Sequence, residues 1–107
     1  MLSGEPVPTG AMFGLMTQFP TIERHLPYVP GLESRNPSAV DMVVIHCTEL
    51  PDLEAARDYG EKLVYPESGT GNSGHFYIER SGRIEQWVPI DRIAHHVRGH
   101  NGTSIGI

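Results

Sequence analysis

The sequence predicts one α/β domain, and three observations predict it. Met42-Val43-Val44-Ile45 is an apolar, largely β-branched run of strand length. Residues 51–64 carry apolar side chains at helical spacing. Residues 75–88 read as two strands divided by Ser81-Gly82. A length of 107 residues suits a single domain.

Taken in order, residues 1–40 form a proline-rich arm holding Pro6, Pro8, Pro20, Pro27, Pro30 and Pro37. Proline fixes φ and removes a donor, so this arm is extended or turned. Its apolar residues Ile22, Leu26, Tyr28, Val29 and Leu32 are candidates to strap it across a core. The folded domain is expected over residues 41–107. Its first strand, Met42–Ile45, is continuous enough to be covered on both faces. Pro51 opens the helix, because proline is tolerated at a first helical position. Leu53, Ala56, Gly60, Leu63 and Val64 make its apolar stripe, with charges opposite. Residues 66–73 (PESGTGNS) are a loop. His75–Arg80 and Arg83–Val88 are strands with a two-residue hairpin signal between them. Ile93–Val97 is a further short strand, Arg98–Thr103 a loop, and Ser104–Ile107 the first half of an interrupted strand.

Composition excludes several classes. With glycine counted, the apolar fraction falls in the usual globular range of about 45–50%, so the chain is not disordered throughout. Thirteen acidic against eight basic side chains give a net charge of −5, which argues against a general nucleic-acid binder. One cysteine cannot build an internal disulfide framework. No apolar run approaches the roughly 18 residues needed to span a bilayer. Met1–Gly10 has an acid and no base, and Ala11–Met16 is too short for the core of a secretory signal. The absence of such a signal favours the cytoplasm over a periplasmic or extracellular location. Met16 is a candidate internal start.

His46 is the first residue suited to chemistry. It closes a strand and precedes Cys47-Thr48, a position that serves zinc binding or acid–base work, or equally a hydrogen-bonded core histidine. Strand alternation sends His46 and Cys47 to opposite faces, and separates His95 from His96 in the same way. Cys47 therefore reads as a small hydrophobe rather than a nucleophile. No Cys-x-x-Cys pair is present and no predicted helix carries His-x-x-x-His, so a site built from His46, His75 and either His96 or His100 has no support from spacing. Gly69-Thr70-Gly71 lacks the Lys-Ser/Thr of a phosphate loop.

Several segments, in order, resemble one family. They are Val43–Thr48, Gly74–Ile78, Ser81–Ile84, Trp87-Val88-Pro89, Ala94-His95-His96 and Asn101–Ile107. Together they are similar to the zinc-dependent N-acetylmuramoyl-L-alanine amidases of the type-2 family, which includes peptidoglycan recognition proteins and phage amidase "lysozymes". The resemblance covers about residues 41–107. It implies a mixed β-sheet flanked by helices, a Zn2+ cofactor, and cleavage of the amide between N-acetylmuramic acid and L-alanine of the stem peptide. Peptidoglycan or its muropeptide fragments would be the partner.

By the same resemblance, His46 matches the first zinc ligand, and His96 matches a cleft histidine of an Ala-Trp-His segment in which His95 here replaces the Trp. Asn101 lies in the cleft-edge loop, and His75 matches a strand histidine that is not a ligand. The remaining ligands and the catalytic acid are expected beyond Ile107, so the chain reads as the N-terminal part of the domain, truncated at its C-terminus. Alone it is expected to be inactive and to self-associate. Glu49 is the acid near His46 that could substitute as base. The alternative function is a non-catalytic muropeptide-binding module, and a third is a structural domain without a sugar ligand.

Overall fold

The computed structural model describes residues 20–107. The expectations about Pro6, Pro8, Met1–Gly10, Ala11–Met16 and an internal start at Met16 lie outside these residues. Five three-residue strands appear: β1 Thr21–Glu23, β2 Met42–Val44, β3 Phe76–Ile78, β4 Ile84–Gln86 and β5 Ser104–Gly106. One α-helix, α1 Leu53–Gly60, lies between β2 and β3, and it is the sole α-helix among the described residues. The expected helices flanking the sheet are thus one helix and three short 3-10 turns.

The strands form a mixed set. β4 pairs parallel with β1 and antiparallel with β3, while β2 and β5 pair parallel. His75 joins the two sheets through its backbone: its N–H donates to Gly106 O at 2.8 Å, and its carbonyl accepts from Trp87 N at 2.9 Å. The β3–β4 hairpin turns through three residues, Arg80-Ser81-Gly82, rather than two. Glu79 N donates to Arg83 O at 2.9 Å, and Gly82 takes φ +90, which glycine adopts without a Cβ clash. No strand covers residues 93–97. That segment makes only an isolated parallel bridge, Asn72↔His95, because its backbone turns off toward the loop before β5.

Helix α1 begins two residues later than a helix opened by Pro51 would. Asp52 is its N-cap, and Oδ1 accepts from Ala55 N at 2.8 Å, satisfying a donor that the first turn leaves free. The helix stops at Gly60, so Leu63 and Val64 fall past its end and are exposed. Gly60 faces the Trp87 ring, where an added Cβ would sit in contact at 3.4 Å from Cζ3. The charges are not all opposite the stripe, because Arg57 is buried. Its guanidinium donates to the carbonyls of Arg24 and His25 and lies 4.9 Å from the Trp87 ring centroid.

Two apolar clusters result. Leu26, Tyr28, Leu32, Ala56, Trp87, Val88 and Ala94 form one, between α1 and the sheet. Val40, Val43, Phe76, Ile84 and Ile105 form the other. Burying each large side chain contributes roughly 1.5–3 kcal/mol. Leu26, Tyr28 and Leu32 anchor the proline-rich segment in the first cluster, while Ile22 stays exposed. Strand β2 is covered less completely than its run suggested: Val43 is buried, Met42 and Val44 are half-buried, and Ile45 is exposed. No helix among the described residues is long and apolar enough to cross a membrane.

Candidate active-site groove

A groove of about 730 Å³ opens beside the end of β2, with His46, Tyr65, Asn72, His95, His96 and Asn101 in its lining. The parallel pairing of β2 with β5 builds its histidine wall. Ile107 N donates to Val44 O and His46 N to Ile107 O, which fixes His46 beside the end of β5. His96 reaches the same place from the loop before β5. Its Nδ1 lies 2.9 Å from His46 Nε2, with the rings edge to face.

Asn101 shapes that loop. Its Oδ1 accepts from both His96 N and Val97 N, at 2.9 and 2.8 Å, and so holds the segment carrying His96 against the groove. Arg35 braces the loop from behind, donating to Asn101 O at 3.0 Å and to Ile90 O at 2.8 Å. Also in the lining, the Tyr65 hydroxyl donates to Asn72 Oδ1, and its ring packs edge-on against His95.

His75 is fully buried and stands 5.8 Å, centroid to centroid, from His96. Nδ1 accepts from Gly106 N at 3.1 Å, so Nε2 carries the proton and donates to Arg92 O at 2.9 Å. Both nitrogens are engaged, which makes His75 a strut rather than a donor to the groove. Burial pushes its pKa down to about 4, with Arg35 adding to the effect. Burial likewise lowers His46, and takes His96 to about 3 with help from His75, His46 and Arg35. All three imidazoles are neutral at pH 7.

A zinc centre tests this geometry. Catalytic zinc takes three protein donors in a tetrahedral set at about 2.0–2.1 Å from nitrogen, which separates two ligand nitrogens by roughly 3.3 Å. His46 Nε2 and His96 Nδ1 are closer than that and face each other as hydrogen-bond partners. Among the described residues no group of three His, Cys, Asp or Glu side chains is arranged to hold a metal. The trio of His46, His75 and His96 or His100 therefore does not form a site. The described residues fit one zinc donor, His46, and not a complete centre. Cys47 is exposed and lies outside the groove lining. Glu49 is also exposed, takes φ +57 and does not line the groove, so the substitute-base role finds no geometric support.

Of the residues expected from sequence, His46, His96 and Asn101 come together. Arg35, Tyr65, Asn72 and Ser104 were not singled out. Ser104, whose Oγ lies 3.0 Å from His96 Nε2, could have been found from strand alternation in Ser104–Ile107, which puts Ser104 and Gly106 on one face.

Comparison with known proteins identifies the family. Residues 36–107 match the family model described as N-acetylmuramoyl-L-alanine amidase. The endolysin of Klebsiella phage KP32 is 32% identical over 69 residues, covering 61% of this chain and 44% of that protein. The chain thus spans less than half the length of that relative. No solved structure gives a significant match.

Proposed function

Because the chain belongs to the N-acetylmuramoyl-L-alanine amidase family, we propose that it acts on peptidoglycan, cleaving the amide between N-acetylmuramic acid and L-alanine of the stem peptide. The observation that carries this reading is the pairing of His46 with His96 on the wall of a groove large enough for a muropeptide. Zinc, when bound, would supply a Lewis acid and a water of pKa near ~7, and His46 is the residue of this chain that would hold it. His96 presents its ring to the groove while both its nitrogens are engaged, so it contacts sugar or peptide through carbon edges and face. Asn101 spends its carboxamide oxygen on the loop and keeps its amide N–H groups for substrate. Tyr65 supplies an aromatic surface to the lining, beside His95.

The test is incubation of the zinc-supplied complete domain, beside the 107-residue chain that is expected to be inactive alone, with a defined muropeptide, followed by mass analysis of the products. The expected products are a free muramyl sugar and a peptide with a new L-alanine amino terminus. A cut between sugars, or within the peptide, would overturn the reading. One observation favours a second reading, a non-catalytic muropeptide-binding module: the described residues offer one zinc donor, His46, and no complete centre. Binding without cleavage, measured by calorimetry on the same sample, would select it.

A further inference from the structure

Ser104 opens β5 with no exposed surface, and its hydroxyl makes two different contacts. Oγ lies 2.6 Å from His100 O and 3.0 Å from His96 Nε2. A carbonyl only accepts, so the single hydroxyl proton goes to His100, and Oγ must accept from His96 Nε2–H. A neutral imidazole carries one N–H, which leaves His96 Nδ1 as a bare lone pair. His46 Nε2, 2.9 Å away, must then be the donor between the two rings. That leaves the lone pair of His46 on Nδ1. The order cannot reverse, because the chain of hydrogen bonds ends on a carbonyl.

We propose that Ser104 is a positioning residue of this site: acting through His96, it holds His46 as the Nε2–H tautomer and so selects Nδ1 as the nitrogen His46 offers. Only the purpose of the arrangement rests on the amidase reading; the proton order does not. The fold supports it from both ends. The parallel register places Ser104 opposite Met42 and Gly106 opposite Val44, so the hydroxyl and His46 flank His96 along one pair of strands. A ligand histidine commonly has its second nitrogen fixed by an outer partner that sets tautomer and ring orientation. Here that partner is another imidazole, whose own tautomer is set by a buried serine.

The test is long-range proton–nitrogen spectroscopy of histidine-labelled chain at neutral pH, without metal or substrate. His46 and His96 should each appear as a single Nε2–H tautomer. Ser104→Ala should convert His96, and with it His46, to mixed or Nδ1–H populations, whereas Ser104→Thr, which keeps a hydroxyl, should retain the wild-type pattern. An Nδ1–H form of either ring in the wild type would overturn the proposal, as would an unchanged pattern in Ser104→Ala. Should Ser104→Ala fail to fold, the wild-type spectrum decides by itself. A protein that shows the expected tautomers yet leaves muropeptide intact would keep this inference and lose the function.

Discussion

His46 Nε2 lies 2.9 Å from His96 Nδ1, although 50 positions separate the two residues in the chain. Their meeting is a product of parallel strand pairing. β2 carries one histidine to its end, β5 runs beside it, and the loop held by Asn101 folds the other histidine back over β5. The pair is neutral at pH 7 and stands at a groove, the combination that metal binding or substrate orientation requires.

Metal binding should accordingly be weak, since among the described residues His46 is the one suitable donor. His46→Ala should reduce zinc affinity at least about tenfold, and His96→Ala by less, because loss of an outer partner costs roughly 10–100-fold in a complete site. Calorimetric zinc titration of the three proteins checks this. Undiminished binding by His46→Ala would remove that residue from the metal.

Acid should destabilise the fold through His75. Its folded pKa is about 4 against 6.5 in the unfolded chain, because burial disfavours the cation. Between those values the unfolded state binds more protons, so stability falls as pH drops through 6.5 and the loss is complete below about 4. The share of His75 is on the order of 3 kcal/mol. Urea unfolding from pH 7 to 4 should show a flatter dependence for His75→Gln than for the wild type. Parallel curves would contradict a buried neutral ring.

The parts of this molecule that declare themselves in sequence are those with local causes. Val43 sits in an apolar run, Gly82 marks a turn, and Ala56 and Gly60 share a helix face. His46 and His96 were legible through ordered motifs. By contrast, β1 is a three-residue strand with no buried–exposed alternation, and it exists because β4 offers it a parallel partner. Leu26, Tyr28 and Leu32 reach the core from irregular, proline-broken backbone, where no period announces them. Arg57 reads as a solvent-facing helix charge, yet it is drawn inward by two orphan carbonyls of the preceding segment. Arg35 matters through partners 55 and 66 positions away, a relation that no spacing rule encodes, whereas Ser104 is tied to His100 and His96 only 4 and 8 positions away.

The carboxylate of Glu85 should matter more as an acceptor than as a charge. Glu85 and Trp87 are both fully buried, and Trp87 Nε1–H donates to Glu85 Oε1 at 2.9 Å. Burial pushes the carboxyl up, but Trp87, Arg24 and Arg83 together outweigh it and hold the group below the usual range. Glu85→Leu strands the indole N–H and should cost about 2–3 kcal/mol. Glu85→Gln keeps an acceptor and should cost about 1 kcal/mol. Equilibrium urea unfolding measures both. Equal losses would assign the contribution to charge instead.

Gly106 is the position where the fold and the site can be separated. A Cβ built there would lie 2.6 Å from His96 Nδ1 and 2.7 Å from its Cγ, so the imidazole rests directly on the strand backbone. Only glycine permits that approach, and it explains a glycine inside a buried strand, where the residue otherwise weakens pairing. In Gly106→Ala the ring must give way, because the strand is tied on both sides by β2 and by His75 N–H. The His46–His96 hydrogen bond is then lost while the β2–β5 pairing survives. Thermal unfolding should therefore show a modest change, of about 1–2 kcal/mol, as for other overpacked positions. The nitrogen spectra of His46 and His96 should change outright, since the ring is displaced from its seat on the strand. A Gly106→Ala protein with wild-type histidine spectra would show that His96 does not need its seat on β5.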